Sequence, residues 1–259
     1  MGKGSMGVIG IICCEILELE FAHMLAMDTD LERVVVLEDR RSLRLIEGLA
    51  AKACRNLRRI PHIQSFLPEP AAHLEVVVRV LEVALHRSKK TLQRALVQAA
   101  HELDGHVDAF LLGYGLCGNA LENVPELLDV SVPVFVPMDN DHPVDDCVGL
   151  LIGGRDCYYA EQCKVPGTVF MIPGFTNHLS RIVRENPRDT DHHGLKRMFT
   201  RYERSLLVVT PVMREEEMRR NAEEFNALLG LRTEVRPGAL KILDETWRTV
   251  KEYLKNKDG

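Results

Sequence analysis

The sequence is poor in aromatic residues, at 5%, and tryptophan occurs once, at Trp247. Stacking platforms for bases need rings in number, and a formal net charge of −5 offers no basic surface for a phosphate backbone. Nucleic acid is therefore not an expected partner. No run reaches the roughly 18 uninterrupted apolar residues of a membrane-spanning helix, so no membrane partner is expected either. The opening apolar run, Val8 to Cys14, stops at Glu15, with one lysine before it and no small-residue cleavage site. That form does not read as a signal peptide, and a cytoplasmic location is expected. The sequence also lacks a Cys-x-x-Cys pair, a Walker sequence, a Gly-x-Ser-x-Gly elbow and a His-Glu-x-x-His pattern. A zinc ribbon, a ferredoxin run and the commonest hydrolase signatures are thereby excluded.

There are nonetheless seven cysteines. A chain of this length buries roughly 70–75% of its unfolded surface and needs no disulfide staples. In a reducing compartment these thiols read as core residues, nucleophiles or metal ligands. Which of these they are depends on where they lie in the fold.

Apolar, β-branched runs alternate with segments of helical period, which predicts an α/β fold. The expected architecture is a mainly parallel sheet flanked by helices, with Rossmann-like βα units and a site at the strand carboxyl edge. One domain over residues 7–259 is expected, with two closely packed lobes, about 7–105 and 106–259, as a variant. Predicted strands are Gly7–Cys13, Arg33–Leu37, Asp108–Gly113, Pro133–Val136, Thr168–Ile172, Ser205–Thr210 and Arg232–Arg236. The run from His73 through Leu85 fits strand or helix; we read a strand ending at His86, because Ser88 then caps a helix over Lys89–Leu103. Further helices are expected from Leu17 through Leu25, from about Ser42 to Arg55, from Met213 to Phe225 and from about Ala239 to Lys255. The last, with Leu240, Leu243, Trp247, Val250 and Leu254 on one face, packs on its own sheet or joins a second copy as a homo-oligomer.

Three strand ends share one local grammar. The first strand runs into Cys13-Cys14-Glu15, the strand ending at Gly113 into Tyr114-Gly-Leu-Cys117-Gly118, and the strand ending at Val136 into a loop closing on Asp146-Cys147. In open parallel sheets the strand carboxyl ends share one edge, where ligands bind. Cys14, Cys117 and Cys147 are thus candidate metal ligands, and backbone N–H groups of a first helical turn would lower their pKa toward thiolate. A core role remains the alternative for each. His86 at the proposed strand end, with Glu15 and Tyr114, are candidate acid–base groups. His142 is a candidate base near Cys147, or a solvated loop histidine. Cys157 and Cys163 look like an auxiliary pair of unspecific spacing, and Cys54 reads as core.

Gly113, Gly115 and Gly118 have Gly-x-Gly-x-x-Gly spacing after a strand, with Asp139 and Asp141 about where a ribose-binding acid would fall. Those glycines and Asp146 are candidate cofactor-binding positions. The fingerprint normally opens the first βα unit, which this one does not.

Taken together, Ile11-Ile-Cys-Cys14-Glu15, Leu85-His86, Tyr114-Gly-Leu-Cys117-Gly118, Asp146-Cys147 with Leu-Leu-Ile-Gly153, and Val165-Pro-Gly167-Thr-Val-Phe-Met-Ile-Pro-Gly174 resemble a prokaryotic family. It is domain-of-unknown-function family sixteen thirty-eight, of anaerobic bacteria and methanogens. Lys89 stands where members tend to carry proline after the Leu-His pair, and a longer Met-Asp-Asn-Asp-His segment follows Pro137. The resemblance implies a setting in anaerobic one-carbon metabolism near corrinoid-dependent methyltransferases, and no established reaction. In that setting the three thiols suit a 4Fe–4S cluster better than zinc, with an open coordination position for an unknown small-molecule substrate. A metal-dependent lyase or methyltransferase would follow. The alternative is a non-catalytic accessory that binds a corrinoid or a small metabolite at the sheet edge.

Overall fold

The computed structural model describes residues 7–54, 56–69, 73–184 and 193–257. The elements alternate along the chain. Strand β1 (Gly7–Cys14) leads through a 3-10 turn, Glu15–Leu17, into α1 (Glu18–Met27); β2 (Arg33–Leu37) and α2 (Leu43–Ala51) follow. Then come β3 (Leu57–Ile60), β4 (Leu74–Leu81), α3 (Lys89–Leu103), β5 (Ala109–Gly113), α4 (Val124–Leu128) and β6 (Val134–Phe135). A hairpin of β7 (Met138–Asp139) and β8 (His142–Pro143) precedes α5 (Cys147–Ile152) and α6 (Arg155–Lys164). The remainder is β9 (Thr168–Met171), α7 (Pro173–Arg184), α8 (His193–Met198), β10 (Arg204–Val209), α9 (Glu215–Leu229), β11 (Arg232–Pro237) and α10 (Lys241–Lys257).

The first sheet is parallel throughout, in the order β3-β2-β4-β1-β5-β6. The near-continuous valine, isoleucine and leucine of β1, β4 and β5 are buried on both faces, as central parallel strands require. After β1 the chain moves toward the β3 edge, whereas after β4 it moves the other way to β5. Right-handed crossovers then place the helices after β1 and β4 on opposite faces. The packing agrees, α1 lying on α2 and α3 on α4. The sheet therefore changes direction between β1 and β4, where Cys14 is paired with Leu81. A crevice at the carboxyl ends of such a pair is the usual ligand position in this architecture.

A second parallel sheet runs β11-β10-β9. The change from one sheet to the other thus falls after Phe135, not at residue 105, since β5 and β6 belong to the first sheet. Helix α10 returns across the junction: Leu243, Trp247, Val250 and Leu254 are buried in the core of the first sheet. Trp247 Nε1 donates to Asp28 at 2.5 Å, and Lys251 Nζ to the same carboxylate at 2.6 Å. Residue 55, at the end of the helix expected over 42–55, lies outside the described residues; α2 itself ends at Ala51.

The amino-terminal edge of the second sheet holds a buried ion network. Arg204 Nη1 donates to Glu161 at 3.1 Å and to Glu234 at 2.9 Å, Nε to Thr168 Oγ1, and Nη2 to the Glu161 carbonyl. Arg236 reaches the other oxygen of Glu161 at 2.6 Å. Removing one partner of a buried pair leaves its counterpart charged and dry. Arg204→Ala removes these bonds but leaves Glu161 paired with Arg236 and Lys164, so it is expected to lower unfolding free energy by about 1–3 kcal/mol, measured as a fall in the urea midpoint; a change near zero would mean that the network carries no stability.

Candidate functional site

The site begins where β1 ends. Cys14 is buried and followed by Glu15, whose carboxylate is also buried. Glu15 Oε1 accepts the Val83 N–H at 2.6 Å and pairs with Arg181 Nη2 of α7 at 2.6 Å. Capture of that N–H explains why β4 stops at Leu81, opposite the last residue of β1, instead of running on to His86 as the apolar pattern predicts. Residues Val83–Arg87 form a 3-10 turn. This turn carries His86, its Nδ1 3.0 Å from the Val83 carbonyl, onto the ring of Tyr114, with centroids 5.9 Å apart and 21° between planes. Partial burial holds the pKa of His86 below the ordinary value, against the opposing pull of Asp146.

The glycine-rich stretch owes its composition to close packing within the chain. A Cβ at Gly113 would collide with Phe21 and Cys13, and one at Gly115 would lie 2.5 Å from the Val144 carbonyl oxygen and 2.7 Å from the Asp146 nitrogen. The bare backbone lets Leu116 and Cys117 donate to the carbonyls of Val144 and Asp145, at 2.8 and 2.9 Å. Cys117, Gly118 and Asn119 all have positive φ, an uncommon state for cysteine. The nearest helix, α4, starts only at Val124 and spans five residues. A dinucleotide fingerprint needs a helix opening at its glycines, so this stretch is a tight loop docked on its neighbour. Asp146 is the N-cap of α5, accepting the Gly149 N–H at 2.8 Å.

Cys117 is thereby held against the segment that leads directly into Cys147, while Cys13 pairs with Gly113 at the end of β5. The three thiols share one electrostatic neighbourhood. Cys117 raises the pKa of Cys14, and both raise that of Cys147. Burial is the largest influence on each, pushing Cys117 up to about 12 and the other two well above the usual thiol range. Glu15 and Glu18 add to the effect at Cys14, and Asp146 at Cys117 and Cys147. The expected depression toward thiolate is thus reversed. The Ile16 N–H does lower Cys14, but desolvation outweighs it. These are protonated thiols, not poised nucleophiles. Among the described residues, no group of three or more His, Cys, Asp or Glu side chains is placed to hold a metal ion.

Several groups at this edge go beyond the candidates that the sequence singles out. Glu18 is fully buried and lies 2.8 Å from Nε2 of His178, which arrives on α7. Glu20 is also fully buried, and neither carboxylate oxygen has a hydrogen-bond partner among the described residues. Burial, then Glu18, push its pKa up to about 8. The hydroxyl of Tyr114 is likewise buried without a partner, amid Cys13, Cys14, Cys117 and Glu15. Period alone does not single out Glu18 and Glu20, since α1 is buried on nearly all sides and shows no clear polar face. Other candidates fall outside the cluster. His142 is exposed on the β7–β8 hairpin beside Asp141. Cys157 and Cys163 both lie on α6, six residues and about 240° apart around the helix, so they do not face each other.

The model of the family described as protein of unknown function (DUF1638) matches residues 80–247, more than half of the chain. The chain belongs to that family. Cys117, Cys147 and His178 lie in the matched stretch, and Cys14, Glu18 and Glu20 precede it. No curated protein matches the chain. No helix among the described residues is long and apolar enough to cross a membrane.

Two outcomes are expected. Gly115→Ala should cost about 1–3 kcal/mol by forcing the Tyr114–Gly118 loop off Val144 and Asp146, seen as a lowered urea midpoint; an unchanged midpoint would show that the docking is dispensable. Glu20 has a folded pKa raised above the unfolded value, so its contribution is present in acid and is lost as pH rises through about 8. Glu20→Gln should therefore gain stability over the parent from pH 5 to pH 9, and unfolding curves at the two pH values with a constant difference would contradict this.

Proposed function

We propose that the carboxyl edge of the first sheet is a soft-metal centre, with Cys14, Cys117 and Cys147 as its protein ligands, a 4Fe–4S cluster preferred and zinc the alternative. The observation that carries this reading is the electrostatic state of the thiols. Three of them, from three separate strand ends, one buried and two half-buried, influence one another electrostatically, and their other influential neighbours are acids. Such a cluster is chemically mismatched to nucleophilic catalysis, which needs a nearby cation or base to make thiolate. It matches a site completed by a cation, because coordination deprotonates a thiol outright. The donor types suit such a group, while among the described residues no three side chains already stand placed to hold it. Loading requires the three side chains to rotate toward a common point from connections that already share one edge.

When bound, a cluster or zinc ion held by three thiolates keeps a position open for substrate, acting there as a Lewis acid or a thiol activator. Tyr114, whose buried hydroxyl has no protein partner among the described residues, would have a hydrogen bond to offer a substrate held there. His86, exposed and stacked on Tyr114, lies at the same edge. Glu15 is engaged by Val83 and Arg181, so its role is to hold the site together. A metal-dependent lyase or methyltransferase in anaerobic, corrinoid-linked one-carbon metabolism is the activity class that suits this chemistry and the family resemblance.

Protein purified without oxygen is expected to contain about four irons and four sulfides per chain, or a single zinc. Cys117→Ser should lose most of that metal, and Cys163→Ser, altering an exposed thiol, should keep it. Full metal in Cys117→Ser, or none in the parent after reconstitution, would overturn the proposal. The second result would leave binding of a corrinoid or another small metabolite at the same edge as the better account.

A further inference from the structure

We propose that the groove between α3 and the carboxyl ends of β2 and β4 binds a small aliphatic α-amino acid. The assignment depends neither on the thiols nor on a metal.

Side chains alternate along β4, so Glu75, Val77, Arg79 and Leu81 share one face of the sheet. Arg33 and Val35 of β2 stand opposite Glu75 and Val77 on that face. An ionic side chain within a central parallel strand needs partners to offset its desolvation. Glu75 has them: Arg33 pairs with it, and the Glu69 N–H donates to it at 3.2 Å. Arg79 is only partly provided for. Its Nη1 donates to Asp39, past the end of β2, at 3.2 Å. Its Nε is buried without a hydrogen-bond partner among the described residues, and the Glu102 carboxylate is 3.9 Å away.

Arg79 borders a cavity of about 190 Å³. Ala95 and Ala99, one turn apart on α3, leave it open where longer side chains would fill it. Drug-sized sites begin at roughly 300 Å³, so this volume suits a more compact metabolite. Two guanidinium groups, Arg41 and Arg79, and two carboxylates, Glu82 and Glu102, line it. A dianion would meet the acids and a plain cation the arginines. A molecule with one charge of each sign is matched at both ends.

An α-amino acid carries its two charges on one carbon, which suits a base and an acid 3.9 Å apart. Its carboxylate would take Arg79 Nε and Arg41, whose bonds to Glu82 and Asp39 are long for charged pairs, at 3.3–3.4 Å. Its ammonium would take Glu102, which Gln98 steadies at 3.1 Å. Leu81 and Leu85 join the two alanines as an apolar bed for an aliphatic side chain.

The probes are L-leucine, its decarboxylated analogue isoamylamine and its deaminated analogue isocaproate, titrated calorimetrically into the full chain at millimolar concentration. Leucine should bind, and the two singly charged analogues should not. Arg79→Lys keeps the charge beside Asp39 but loses the planar fork, and should weaken leucine roughly tenfold to a hundredfold. Ala95→Leu fills the groove from a half-buried position and should abolish binding, with circular dichroism showing an unchanged fold. Leucine held by either variant as tightly as by the parent would overturn the assignment. Equal binding of either analogue, or no uptake of leucine by the parent, would do the same. None of these results bears on the metal content of the thiols, so the two proposals fail separately.

Discussion

One carboxylate holds together three parts of this molecule that the chain brings in from far apart. Glu15 lies just past β1, at the point where the first sheet changes direction, and accepts the N–H of Val83 just past β4. Its second partner, Arg181, belongs to α7, which follows β9 of the second sheet. Buried carboxylates are tolerated when hydrogen bonds and an opposite charge replace their lost hydration, and Glu15 has both. The adjoining Glu18–His178 contact repeats the arrangement three residues further along after β1 and three residues earlier in α7. The carboxyl ends of β1 and β4 are therefore held in a fixed relation to α7. The positions of Cys14 and His86 follow from that frame.

Against this satisfied pair stands a set of groups that the fold leaves wanting. Glu20 and the hydroxyl of Tyr114 are buried without partners among the described residues, and the neighbouring thiols are pushed strongly toward their protonated forms. Each such group costs stability, and a core of alkyl side chains would have avoided the cost. Cys117 adds a backbone in the left-handed region, where a residue without Cβ would be unstrained. Unsatisfied polarity and local strain thus coincide at one edge of the sheet, while the central strands β1, β4 and β5 are mostly apolar.

Much of this is legible in the chain. The order of strands and helices follows from period and from Gly, Pro and Ser punctuation, and the shared grammar at Cys14, Cys117 and Cys147 follows from the rule for parallel sheets. What fails does so for identifiable reasons. Apolar period makes β4 too long because it cannot register that Glu15, 68 residues away, takes the next N–H. Strand β3 escapes it because Arg58 and Arg59 are exposed on an edge and carry no apolar alternation. The glycines resemble a phosphate loop because spacing does not distinguish close approach to a ligand from close approach to Val144 and Asp146. Glu18 and Glu20 look like ordinary helix surface, since nothing local says that α7 will cover one of them and the core the other.

The same long-range packing determines how the thiols behave. A cysteine after a strand, next to a helical turn, reads locally as an activated thiolate, because N–H groups and the helix dipole favour negative charge by a fraction of a kcal/mol to about 2 kcal/mol. Burial opposes this with a greater desolvation cost, which only the folded chain imposes. At Cys14 both are present, and the outcome is a raised pKa despite the hydrogen bond from Ile16. A nucleophile would be disabled by that balance. A ligand would not, since a metal ion brings its own positive charge and needs the thiols only to be close, dry and free of competing cations. Acid-lined burial, which argues against one cysteine chemistry, is for this reason what the other requires.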